Sequence, residues 1–292
     1  MPDGDGSVTM VSGPFDQAGM KMAGDARANV NPGLLALHGL LVLEHNRQAG
    51  VLAAAHPDWD DEELYQQARA RVVAIYQQIT LYEYVPLILG ESLPAYDGYD
   101  EDEEKGTDIF FAIAAYRYGH STINSVYRRI NADGTDSRGG HLLLRDVYFS
   151  PRYLKDAGAR GIAPILRGLA SQLEQEVDLA MVDDVRQFLE AMNGDLAAVD
   201  IQRGRDVGLP SYADACEQLG LPRPTSWLDV SRDSSTRAAL DAAYPDGVET
   251  LDAWVGGLAE DKAVNGGTLG RLFRASIRSH MTRLRAADAF WF

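Results

Sequence analysis

His120 closes the run Phe110-Phe111-Ala112-Ile113-Ala114-Ala115-Tyr116-Arg117-Tyr118-Gly119-His120, a single imidazole on an otherwise apolar stretch, three residues after an arginine. On a helix that spacing puts the imidazole and the guanidinium on one face. An imidazole can supply one axial bond to haem iron, and a guanidinium beside it can meet a carboxylate at the edge of an anionic, planar cofactor. The same placement also suits a hydrogen-bonded core histidine, and this segment alone leaves both readings open.

A second stretch, from Asp195 to Tyr212 (DLAAVDIQRGRDVGLPSY), reads as a short helix carrying carboxylates and guanidiniums on shared faces, with Asp200, Arg203, Arg205 and Asp206 the charged set. Five further segments accompany these two. In chain order they are Ala23-Gly24-Asp25-Ala26-Arg27, Glu44-His45-Asn46-Arg47, Trp59 to Arg69, Arg145-Asp146-Val147-Tyr148-Phe149 and Gly161 to Leu169. Together they resemble the animal-type haem peroxidase family, over nearly everything from residue 23 to residue 292 and corresponding to the C-terminal portion of that family's domain. The fold so implied is mainly α, an animal haem peroxidase-like helical domain that is N-terminally truncated. Residues 1–22 would be a disordered or extended lead-in and residues 23–292 the domain itself.

The resemblance carries roles residue by residue. It implies that His120 is the proximal ligand to the iron, with Nε2 on the metal. Asp200 stands where the family usually has an asparagine that accepts from the imidazole Nδ1. A carboxylate there would give the ring more anionic character and favour ferric over ferrous iron. Its burial would need a cation, Arg203 or Arg205, to offset it. Arg117 and Arg203 match positions that hold haem propionates, and Arg27 matches the distal arginine that helps polarise peroxide. Val30 and Asn31 fall where some members bond covalently to the haem, and neither can make those bonds, so the expected cofactor is haem b held non-covalently. The implied reaction is hydrogen peroxide-dependent oxidation of small organic donors or halides. The family's distal Asp-His-Asp run does not occur in this sequence, and no histidine precedes Arg27. A truncated or degenerate non-catalytic haem-binding or adhesion module is therefore the alternative.

Composition narrows the partners. With 27 basic against 43 acidic residues the chain carries a formal charge of −16, which disfavours nucleic acid and anionic membrane. Cys216 is the single cysteine, so no intrachain disulfide forms. Its acidic neighbours Asp214 and Glu217 are expected to raise the thiol pKa. Neither a membrane span nor a basic, apolar-cored leader is read in the sequence, although the resembled family implies a secreted or extracellular setting. Oligomeric state is not legible.

The elements that must position these residues read as mostly helical. Asn31-Pro32 opens a helix to about Ala49, with Leu34, Leu37 and Leu41 as its apolar set. Asp60 and Glu63 form a capping box for a long helix, with Leu64, Ala68, Val72, Ile75 and Ile79 on one face, expected to end before Pro86. Residues 92–106 are an acidic loop; calcium there is conceivable, but the ligand alternation of a calcium loop is missing. The helix bearing His120 is expected from about Thr107 to Ile130, then a turn-rich connector over 131–141 and helices near 162–172 and 176–192. After the Asp200 helix follow segments at Tyr212–Gln218 and near 235–243, and a last helix from about Thr268 to Ala286. Tyr65, Tyr76, Tyr82, Tyr84 and Trp59 read as core packing, with a radical relay as the more remote use.

Overall fold

The computed structural model describes residues 20–21, 23–150, 161–188, 194–262 and 265–291. In chain order the α-helices are α1 (Pro32–Ala55), α2 (Asp61–Ile79), α3 (Val85–Leu89), α4 (Ile109–Ile113), α5 (Leu144–Val147) and α6 (Ala163–Ser171). They continue with α7 (Asp183–Arg186), α8 (Leu196–Asp206), α9 (Tyr212–Gln218), α10 (Ser234–Ala243), α11 (Ala253–Ala259) and α12 (Arg271–Ala287). A single small antiparallel ladder, β1 (Val126–Tyr127) with β2 (Leu142–Leu143), is the strand content among the described residues. The mainly α expectation holds.

The chain forms two compact units. The first takes in the described residues up to Ile75, Asn124–Glu174 and the short stretch from Gln187. Here the Asn31 side chain accepts from the Leu34 N–H at 2.9 Å, capping α1 beside Pro32. The helix runs past Ala49 to Ala55, and its buried face is Leu35, Ala36, Gly39 and Leu52, whereas the expected Leu37 is 46% exposed. Leu35 and Ala36 pack with Leu142, Val147 and Ile165, flanked by Tyr127, Ile162 and Leu166. Close approach fixes Gly168 on α6, where a Cβ would stand 1.8 Å from the Arg128 carbonyl oxygen. The turn-rich connector expected over 131–141 folds back on itself, an isolated antiparallel bridge joining Ile130 to Asp136. Both halves of the capping box form, Glu63 N–H to Asp60 at 2.9 Å and Asp60 N–H to Glu63 at 3.2 Å.

Pro86 does not end the second helix. The chain passes from α2 through a π turn at Thr80–Tyr84, where the Val85 N–H reaches the Thr80 carbonyl, into α3, which stops at Gly90 in the left-handed region (φ 70°). Proline lacks an N–H and its ring crowds the carbonyl four residues back; the wider turn relieves that clash. The continuous helix Asp61–Leu89 is 29 residues long and, by length and composition only, apolar enough to cross a membrane. Val85, Ile88 and Leu89 at its end are core residues, at most 4% exposed.

The second unit takes in Tyr76–Ile123, Gln175–Arg186 and the described residues from Gly194 onward. Every residue of α11 is buried. Its two glycines admit neighbouring rings: a Cβ on Gly256 would lie 2.3 Å from Tyr212, and one on Gly257 2.2 Å from Phe273. Glu260, just after α11, accepts from the Tyr212 hydroxyl at 2.6 Å, from Arg271 at 3.0 Å and from the Leu272 N–H at 2.8 Å, which closes the start of α12. The expected 176–192 helix is reduced to α7 among the described residues. Residues 176–178 are instead held irregular by Ser121, whose Oγ lies 2.9 Å from the Glu176 and Asp178 carbonyls and accepts from the Asp178 N–H at 3.0 Å.

Candidate functional site

His120 does not ride on a long helix. Asp108 caps α4 by accepting from the Phe111 N–H at 2.8 Å, the chain turns at Ala114 (φ −118°, ψ −69°), and a 3-10 segment, Ala115–His120, carries the arginine and the histidine. The expected helix to Ile130 is thus corrected: three residues per turn, rather than 3.6, place Arg117 directly under His120. The Trp254 indole N–H donates to the Arg117 carbonyl at 3.3 Å, joining this segment to buried α11.

Opposite stands α8, whose first turn is capped by the Asp195 carboxylate, accepting from the Ala197 and Ala198 N–H groups at 2.9 and 3.2 Å. That start fixes the helix phase and turns Asp200 fully inward, with 0% side-chain exposure. Its two oxygens are divided between two partners. The His120 Nδ1–H donates to Oδ2 in a short hydrogen bond, and the Arg117 guanidinium donates to Oδ1 at 2.9 Å. A buried carboxylate is costly unless paired and hydrogen-bonded, and here both conditions are met. The cation that offsets it is Arg117; neither Arg203 nor Arg205 takes that part. Arg205 instead forms a fork onto Asp252 at 3.0 and 2.6 Å, while Asp206 accepts from Gln202 at 2.6 Å.

Two groups around this carboxylate keep unused capacity. With Nδ1 donating, the ring's Nε2 holds its lone pair free, meets no hydrogen-bond partner among the described residues, and belongs to a side chain 28% exposed. Arg203, one turn along α8 from Asp200, is half-buried and makes no side-chain hydrogen bond or ion pair among the described residues. A histidine whose tautomer is fixed through Nδ1 by a carboxylate, with Nε2 open, is in the form that ligates iron. An unpaired guanidinium beside it suits an anionic edge of the same group. These residues fit a haem.

Arg27 belongs to the first unit. It sits in a 3-10 turn capped by Asp25, is 79% exposed, and its guanidinium forks onto the Asp25 carboxylate at 3.0 and 2.5 Å. That arginine holds Asp25 down to about 2, with a smaller pull from His38. His38 has its own tautomer fixed, Nδ1–H donating to the Leu34 carbonyl at 2.9 Å.

The remaining candidates are apart from this chemistry. The buried Cys216 thiol is pushed up to about 11, chiefly by burial and then by Glu260, so the cause is not the flanking Asp214 and Glu217. Among the described residues no three His, Cys, Asp or Glu side chains gather as a metal-ion site. Sequence reasoning missed Trp254 altogether. It also missed that the Tyr118 hydroxyl, two residues before His120, is hydrogen-bonded to Tyr84; the Tyr-Gly-His run was the only available signal, and nothing local points to Tyr84.

A family model described as animal haem peroxidase matches residues 5–292. Over 283 residues the chain is 38% identical to Peroxinectin A of Dictyostelium discoideum, covering 96% of this chain and 51% of that protein. Thyroid peroxidase of Sus scrofa is 38% identical over 294 residues, covering 95% of this chain and 31% of that one. Among solved structures, Peroxidase A from Dictyostelium discoideum superposes with a TM-score of 0.88 at 37% identity, covering 99% of this chain and 56% of that one. The chain therefore spans about half, or less, of the length of these relatives.

Proposed function

The chain belongs to the animal haem peroxidase family, and from that premise we propose that it holds haem b through His120 and supports hydrogen peroxide-dependent oxidation of small organic donors or halides. The observation that carries this reading is the Asp200 carboxylate shared between His120 and Arg117, which leaves Nε2 of the histidine open. When bound, haem supplies an iron centre that peroxide oxidises and that a donor then reduces.

Asp200 keeps the imidazole in one tautomer and one orientation and lends it anionic character, which favours the higher oxidation states of iron. Arg117 holds the Asp200 carboxylate in place through its second oxygen. Arg203 would hold a carboxylate at the edge of the cofactor. Arg27, held by Asp25 within the first unit, would be the cation that the family resemblance assigns to polarising peroxide. Val30 and Asn31 leave the haem non-covalent at these positions, and the Asn31 amide oxygen is already committed to the Leu34 N–H. Reconstitution of the purified chain with hemin tests the proposal. A Soret band that is lost in His120→Ala supports it, and a spectrum unaltered by that substitution removes His120 as the ligand.

A further inference from the structure

We propose that a cavity lined by α4, the turn after α8, α9 and α12 binds a small neutral aromatic compound through one acceptor oxygen, held jointly by His280 and Ser276. None of the residues lining it belongs to the His120, Asp200 and Arg117 cluster, and the proposal does not rest on the haem reading.

The cavity measures about 340 Å³ and lies within the second unit. Two side chains of α12 line it, Ser276 at 4% exposure and His280 at 3%. Their spacing puts them on one face of the helix, a turn apart. The Arg283 guanidinium donates to His280 Nδ1 at 3.0 Å and is itself anchored on the Glu104 and Gly106 carbonyls. Arginine can only donate, so Nδ1 is the acceptor and the proton of the neutral ring sits on Nε2. That N–H is buried and meets no protein acceptor. The Ser276 hydroxyl likewise makes no hydrogen bond among the described residues. Two buried polar groups on one helix face thus border one cavity with their capacity unspent.

The chemistry of the lining selects the ligand. A buried donor left without an acceptor bears the full cost of its lost hydration, and one oxygen placed between the two groups accepts from both the Nε2–H and the serine O–H. The facing wall is apolar, with Phe110 from α4, Leu209 and Pro210 from the turn after α8, and Leu219 at the end of α9. Water can satisfy the polar groups but leaves that wall wetted, whereas a ring carried by the same oxygen covers it. Size follows from volume: ligand cavities run from roughly 300 to 1,000 Å³, so this one suits a single ring rather than a long chain. Neutrality follows from charge. Asp108 and Arg283 line the same cavity with opposite signs, and burial, with Arg283 beside it, holds the His280 pKa below its usual value, so no net charge faces the ligand. Val207 and Ser279, both exposed, are part of the lining and leave the cavity reachable from solvent.

The experiment uses the full chain, without added hemin, and benzamide as the probe. In protein labelled with nitrogen-15 histidine, the Nε2–H resonance that is missing from His280→Phe is expected to shift saturably as benzamide is added. Affinity for benzamide is expected to fall about tenfold in His280→Phe, which keeps a ring on Phe111 and loses the donor. Binding is expected to be lost in Leu219→Trp, which fills the cavity. Each variant is compared only if its far-UV spectrum and thermal midpoint match those of wild type; should neither fold, the Nε2–H shift in wild type, assigned by selective labelling, decides alone. The absence of saturable benzamide binding by wild type overturns the site, as does binding left unchanged in both variants. Benzoate binding more tightly than benzamide overturns the neutral ligand class.

Discussion

His120 and Asp200 are 80 residues apart in sequence, yet the imidazole donates from Nδ1 directly to the buried carboxylate. That bond decides which face of the ring is open, and it makes the charge on Asp200 a lever on whatever Nε2 binds.

Neutralising that charge should therefore move a redox potential. Asp200→Asn keeps an acceptor for Nδ1–H but donates less charge to the ring, so the Fe(III)/Fe(II) potential is expected to rise; spectroelectrochemistry showing no change or a fall puts Asp200 outside the control of the iron. Asp200→Ala, which removes the acceptor, is expected to weaken haem binding by about 10- to 100-fold.

Arg117→Gln leaves Asp200 buried without its cation. Breaking a buried pair by removing one member typically costs about 3–5 kcal/mol, and because the Arg117 side chain is 21% exposed the expected loss is near the lower end, about 3 kcal/mol. Urea unfolding at neutral pH measures it. A midpoint equal to that of wild type means that Arg117 is not what stabilises the carboxylate.

His280 provides a pH test of the fold. Stacked on Phe111 at 3.8 Å, with Nδ1 accepting from Arg283 at 3.0 Å, it is 3% exposed. Burial, and then the charge of Arg283, depress its pKa below the usual 6.5, against a smaller opposing pull from Asp108. A histidine depressed in the fold contributes stability that is present above its unfolded value and lost as pH falls through the folded one. Wild type should thus lose more thermal stability than His280→Phe between about pH 7.5 and pH 5.5. Parallel losses in the two proteins would show that the imidazole is not kept neutral by the fold.

Features written into adjacent residues were legible in the sequence. The Asn31 cap, the Asp60–Glu63 box and α9 at Tyr212–Gln218 follow from side chains reaching their own neighbours. The candidate site was legible in its members and not in its wiring. Arg203, three residues from Asp200, was the natural counter-ion on helical spacing, yet Arg117 takes that place across 83 residues. Where distant groups compete for the backbone, local pattern loses. Ser121 holds Glu176 and Asp178 from 55 and 57 residues away, and the helix expected there gives way to an irregular stretch. Pro86 shows the opposite error, a local breaker accommodated because Val85, Ile88 and Leu89 are needed in the core beyond it.

The π turn ahead of Pro86 also sets how the chain tolerates changes in length. Each residue of an α-helix advances the side chains by about 100°, and the π turn fits one residue more into its turn, so deleting one residue from Thr80–Tyr84 would restore regular winding and leave the residues beyond it close to their present phase. Val85, Ile88 and Leu89 would keep their inward direction, but Pro86 would meet the carbonyl that the wide turn keeps clear of its ring. The irregularity thus absorbs one extra residue without turning the end of the helix away from the core.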